Sequence, residues 1–202
     1  FDSQIIPTFV HYNVLVLTDL GKRKFMDTTK ATAVLFDFDG VVVDTETQYS
    51  HFWHEMEAYL GMDDIEGRVK GQTLVYIYDT FFPGMAKEQA EITERLNRFE
   101  QEMSFDFIPG VLDFIATYTE WGEDAVVTSS NEAKMAAVYR VHPEIKTLFD
   151  RILTAEMFTA SKPAPDCFLL GMEVFGTTPD TTYVFEDSFN GLKAAWLQEL
   201  PL

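Results

Sequence analysis

The 202-residue sequence holds a single cysteine, Cys167, and only 15 lysines and arginines against 33 aspartates and glutamates. One thiol excludes an internal disulfide and any zinc cage built from cysteines. Its setting, PDCFLLGM, has the look of an apolar helix face, so an inert core thiol is expected there. A formal charge of −18 leaves no basic surplus of the kind that binds nucleic acid or an anionic membrane non-specifically. It does not exclude a small anionic substrate, because a local cation or bound metal can reverse the field within one cleft. No run reaches the roughly 18 apolar residues that a membrane-spanning helix needs. The N-terminal IIPTFVHYNVLVL has no basic leader and contains Pro7, His11 and Asn13, which makes it a poor signal peptide. A soluble chain in a reducing, cytoplasmic setting is the expectation, with no nucleic-acid or membrane partner, as a monomer or weak homo-oligomer.

What is present is ample core material. A hydrophobic fraction of 47% with 14% aromatics supports one domain of ordinary size carrying a modest insertion. Short apolar runs at Ala33–Phe38, Ala125–Thr128, Ile152–Thr154 and Tyr183–Phe185 read as strands. They alternate with helical patterns near Val111–Glu120, Glu132–Val141, Pro165–Phe175 and Phe189–Gln198. Buried strands alternating with helices predict βαβ units on a parallel sheet, an α/β Rossmann-like three-layer core. Residues 45–105 break the rhythm. Thr45 is placed to cap a helix whose Tyr49, Phe52, Trp53, Met56, Tyr59 and Leu60 fall at helical spacing. A second helix near Lys87–Met103 carries Ile92, Leu96, Phe99 and Met103 on one stripe. The predicted organisation is an N-terminal extension over 1–26, a core from 27–44 and 106–202, and a helical cap over 45–105. The chain stops at WLQELPL, where a doubly wound sheet usually continues.

The chemistry gathers at the strand exits, where such sheets bind ligands. In VLFDFDGVVVDTE, Asp37 and Asp39 alternate onto one face while Phe36 and Phe38 take the other, and Gly40 allows a tight turn. Converging carboxylates raise each other's pKa unless a cation intervenes. Oxygen-only ligands favour Mg²⁺ over zinc or copper. The last strand ends in VFEDSFNG, so Glu186 and Asp187 repeat the pattern, and the two acidic pairs could share one ion. The plainer alternative is that each pair caps the helix that follows it. VVTSSN offers Thr128, Ser129, Ser130 and Asn131 as donors to an anion at a helix start. SKPAPD places Lys162 before two prolines as a fixed positive charge.

Together, Asp37-Phe38-Asp39-Gly40, Thr128, Lys162 and Glu186-Asp187 resemble the four motifs of the haloacid dehalogenase-like hydrolase superfamily. The branch they most resemble contains β-phosphoglucomutase and small-molecule phosphatases with a helical cap, over roughly residues 31–198. The resemblance implies Asp37 as nucleophile, forming an aspartyl-phosphate, and Asp39 as general acid and then base. It implies Mg²⁺ held by Asp37, the Asp39 carbonyl and Asp187, with Glu186 assisting. Thr128 and Lys162 would neutralise the phosphoryl oxygens, with Ser129 the substitute should the register slip by one. Gly40, Ser129, Asn131 and Ser188 would line the substrate, a small phosphorylated metabolite.

Within the insertion, VKGQT matches the cap loop of β-phosphoglucomutase at Lys70 and Gly71, which implies substrate contacts there. The family's phosphate-binding arginine falls on Leu74, and the mutase's cap-hinge histidine falls on Tyr49. With those groups replaced, hydrolysis is expected over isomerisation. The alternatives are a phosphomutase and a catalytically silent homologue. His51 and His54 form an H-x-x-H spacing without an evident third ligand, and are expected at the surface or facing substrate. Asp44 and Glu46 are expected to pin the turn after the nucleophile loop.

Overall fold

The computed structural model describes residues 33–69, 74–118 and 122–197. Strands β1 (Ala33–Phe36), β2 (Glu123–Val127), β3 (Arg151–Leu153) and β4 (Thr182–Phe185) form one sheet in the order β3-β2-β1-β4. All pairings are parallel, and Phe36 lies opposite both Val126 and Phe185. β1 is central and every one of its residues is buried, as a parallel strand covered on both faces must be. Val34 and Phe36 pack into one apolar cluster and Leu35 into another, the alternation that strand geometry dictates.

Five of the helices divide between these two faces. Before β2 come α1 (Glu46–Leu60), α2 (Glu66–Val69), α3 (Leu74–Phe81), α4 (Ala86–Glu102) and α5 (Val111–Tyr118). After it come α6 (Glu132–Val141), α7 (Ile145–Leu148), α8 (Asp166–Phe175) and α9 (Phe189–Trp196). Val111 and Ile115 of α5, Met135 and Val138 of α6 and Ile145 of α7 join the Val34–Phe36 side. Cys167, Phe168 and Met172 of α8 and Ala194 and Ala195 of α9 join the Leu35 side. The result is the expected three-layer α/β arrangement. Its aromatic centre is Phe36, stacked on Phe185 at 5.1 Å and edge-on to Phe114 at 6.2 Å. Such pairs add about 0.5–1.5 kcal/mol each beyond burial.

Helices α1 to α4 form a block with its own core of Phe52, Trp53, Met56, Ile65, Ile77, Phe82 and Ile92. The block leaves and re-enters the sheet domain at one place. Val43 pairs antiparallel with Phe107, the Asp44 N–H donates to Asp106 O at 2.8 Å, and the Ile108 N–H donates to Val42 O at 3.0 Å.

Several expectations shift in detail. β1 stops at Phe36 rather than Phe38, although the Asp37 N–H still donates to Phe185 O at 2.9 Å. Phe38 remains buried on the Phe36 side. Helices α2 and α3 were not anticipated. Thr45 precedes α1, but its hydroxyl makes no cap bond there; it donates to Asp39 instead. The proposed extension over 1–26, Lys70, Gly71 and the chain after Leu197 lie outside the described residues.

Candidate active site

Asp37, Lys162, Glu186 and Asp187 meet just beyond the carboxyl ends of β1 and β4. Asp37 is carried out of β1 by one further ladder bond, and Glu186 and Asp187 follow β4 directly. Lys162, on the loop before α8, is 6% exposed. Its ammonium donates to Asp37 Oδ1 at 2.7 Å, to Glu186 Oε2 at 2.6 Å and to the Val127 carbonyl at 3.3 Å. Burial pulls the Lys162 pKa down, but Asp37 and Glu186 together hold it well above the usual lysine range. Burial and Glu186 push the Asp37 carboxyl up, with Lys162 opposing. Burial, then the charges of Glu186 and Glu46, push Asp187 to about 7.

Two glycines permit this crowding. Gly40 has φ +80°, and a Cβ there would stand 2.1 Å from Asp187 Oδ2. A Cβ on Gly191, at the start of α9, would stand 1.9 Å from the Glu186 carboxyl carbon. Contacts that short have no room for any side chain. The second Glu186 oxygen is fixed by the Ser188 N–H at 2.9 Å and the Ser188 hydroxyl at 2.7 Å.

The donor set fits a divalent cation. Oxygens of Asp37, Glu186 and Asp187 lie within 4.8 Å of one another. When all three carboxylates are ionised they face one ammonium, which leaves two negative charges for a divalent ion to balance. All donors are hard oxygens, which suits Mg²⁺.

Asp39 sits apart from this group. Its Oδ1 accepts from the Thr45 hydroxyl at 2.7 Å and from the Lys134 ammonium at 2.6 Å, and its Oδ2 from the Ser130 hydroxyl at 2.7 Å. Burial alone would raise its pKa, but Lys134 and the two hydroxyls hold it below the usual range. Thr128 is buried, and its hydroxyl accepts from the Ser130 N–H at 3.0 Å, while Ser129 is exposed.

Two residues expected to line the substrate are used as helix caps. Asn131 Oδ1 accepts from the Lys134 N–H at the start of α6, and Ser188 Oγ accepts from the Gly191 N–H at the start of α9. Asp44 does pin the start of α1, accepting at 3.4 Å from the Thr47 N–H and hydroxyl. Beside it a cavity of about 450 Å³ is lined by Asp44, Glu46, Thr47, Ser50, His51, His54 and Glu66. Glu46, one of its lining residues, also raises the Asp187 pKa through its charge. The residue that sequence reasoning missed is Lys134. The available signal was a lysine three positions after the Asn131 cap, on a helix otherwise turned inward through Met135 and Val138.

An aspartate on a strand exit is bridged by a buried lysine to Glu186 of a second acidic pair, all beyond the carboxyl ends of a parallel sheet. The family model described as haloacid dehalogenase-like hydrolase matches residues 34–198, and the chain belongs to that family. It is 31% identical over 183 residues to the chloroplast protein SUPPRESSOR OF QUENCHING 1 of Arabidopsis thaliana, covering 84% of this chain but 17% of that protein. It is 26% identical to the fructose-1-phosphate phosphatase YqaB of Escherichia coli, covering 80% of this chain and 89% of YqaB. The crystal structure of CbbY from Rhodobacter sphaeroides in complex with phosphate superposes with a TM-score of 0.62 at 26% identity, over 84% of both chains.

Proposed function

We propose that this chain is a Mg²⁺-dependent phosphatase that hydrolyses a small phosphomonoester through an aspartyl-phosphate on Asp37. The observation that carries this is the Lys162 ammonium, 2.7 Å from Asp37 and 2.6 Å from Glu186, inside a carboxylate cluster that matches a divalent ion. The family membership, and a phosphatase among the relatives, support it.

Asp37, the Asp39 carbonyl, Asp187 and Glu186 are the groups that would hold the ion. When bound, it would draw charge from the phosphoryl oxygens. An Asp37 oxygen attacks phosphorus, the bond from phosphorus to the ester oxygen breaks, and Asp39 in its protonated form, taken up against the pull of Lys134, gives that oxygen a proton. Water then attacks the acyl phosphate, Asp39 takes its proton, and free phosphate leaves with Asp37 restored. Lys162 balances the nucleophile's charge throughout, and Thr128 adds a buried hydroxyl beside the phosphoryl group. Helices α1 to α4 act as a cap that excludes water and contacts the leaving group. The polar lining of the cavity at the start of α1, two histidines with hydroxyls and carboxylates, suits a hydroxylated leaving group such as a sugar.

The test is phosphate release from a panel of phosphorylated metabolites, with isomerisation followed in parallel. Release that needs Mg²⁺, stops in chelator and disappears in Asp37→Asn is expected. No release from any ester by folded protein, or full activity in Asp37→Asn, would refute the reading. Isomerisation without release would favour a mutase.

A further inference from the structure

The site contains a second buried lysine that the reaction outlined above leaves without a role. Lys134 is 7% exposed, and its ammonium is 2.6 Å from Asp39 Oδ1. Its backbone is fixed from the other side by the Asn131 cap, at 2.8 Å. The ring of Tyr49, on α1, lies 4.9 Å from the same ammonium, and the Tyr49 hydroxyl donates to Glu100 on α4 at 2.8 Å. The two aspartates of the nucleophile loop are therefore held by different lysines: Asp37 by Lys162, Asp39 by Lys134.

Burying a cation is costly, and replacing a buried pair with apolar residues often leaves stability unchanged or improved. An ion pair here is therefore a poor way to stabilise the fold and a good way to aim a carboxylate. Thr45 and Ser130 alone bond Asp39 through hydroxyls that rotate. Lys134 adds a charged contact reaching in from α6, and its aromatic neighbour belongs to the helical block. Resting on the phosphatase reading, we propose that Lys134 is a positioning residue that fixes the Asp39 carboxyl group for proton transfer with the ester oxygen of the substrate. It acts through Asp39 and does not itself touch the reacting atoms.

Proton donation matters for poor leaving groups and little for good ones, so the leaving group reports the aim of Asp39. The experiment compares kcat/KM for an alkyl ester, glycerol phosphate, with that for an aryl ester, p-nitrophenyl phosphate, in wild type, Lys134→Met and Lys134→Arg. General acids contribute on the order of 10²–10⁴ in rate. The alkyl-to-aryl ratio is expected to fall at least about tenfold in Lys134→Met, and Lys134→Arg is expected to restore most of it. Circular dichroism identifies any variant that fails to fold, and Lys134→Gln then takes the place of Lys134→Met. An unchanged ratio, with both esters losing equally, or a higher one assigns Lys134 no part in aiming Asp39 and refutes the proposal while the phosphatase reading stands. Where wild type ignores glycerol phosphate, an alkyl ester it does hydrolyse takes its place, and wild type that releases phosphate from no ester of the panel refutes the phosphatase reading and the proposal with it.

Discussion

Asp124 tests how this fold handles its excess of negative charge. The residue is 1% exposed at the start of β2. Its Oδ1 accepts from the Asp150 N–H at 3.0 Å, and Asp150 Oδ2 accepts from the Asp124 N–H at 3.0 Å. Its Oδ2 has no hydrogen-bond partner. Burial pushes the carboxyl up from 3.8 to about 6, against the pull of the Asp150 amide and helped by the Asp150 charge. The folded state thus holds this proton more tightly than the unfolded chain does. The stability gained from that proton is complete below about pH 4, the unfolded value, and is lost as the pH rises through about 6. A shift of about two units corresponds to about 3 kcal/mol at most, and local relaxation reduces it to about 1–3 kcal/mol. Asp124→Asn keeps the Oδ1 acceptor and removes the charge. It is therefore expected to be about 1–3 kcal/mol more stable than wild type at pH 8 and nearly equal to it at pH 4. Near the transition that amounts to roughly 3–10 °C in Tm for a chain of this size. Urea melts of both proteins between pH 4 and 8 measure the difference directly. A difference independent of pH, or an Asp124→Asn protein weaker at pH 8, would show that the orphaned oxygen carries no such cost.

Two further substitutions probe the centre itself. Lys162→Met strands Asp37 and Glu186 beside each other; phosphate release should fall by on the order of 10²–10³, and urea melts should show a loss of about 3–5 kcal/mol. Gly40→Ala puts a methyl group 2.1 Å from Asp187 Oδ2 at a backbone φ of +80°. The displaced carboxylate should weaken the apparent Mg²⁺ affinity about tenfold or more, as loss of support to a ligand does, which a Mg²⁺ titration of activity measures.

The sheet was legible because its strands are short apolar runs with polar exits, and periodicity locates such runs to within a residue or two. β1 ends early for a reason the pattern does not show: beyond Phe36 the chain must turn toward Gly40 to bring Asp37 to Lys162. Helix α3, LVYIYDTF, is rich in β-branched and aromatic residues, so local preference argues for a strand, and only the core it shares with Phe52 and Ile92 makes it helical. The acidic centre was legible because each part sits at a strand exit. The Asp39 setting was not. Thr45 has the residue type of a cap, yet its hydroxyl is claimed by a carboxylate six positions back. Lys134 reaches Asp39 across 95 positions of sequence, a pairing no local pattern encodes. Asn131 and Ser188 show the converse: residue types suited to greeting an anion also suit the helix ends where they are found.

The doorway through which α1 to α4 leave and return consists of two chain crossings lying edge to edge at Val43 and Phe107. Such a block hangs from the sheet as a pendant whose length hardly matters to its frame, since doubling a loop costs only about 0.6 kcal/mol in closure entropy. The helical block can therefore drift or lengthen while Asp37, Lys162, Glu186 and Asp187 keep their places.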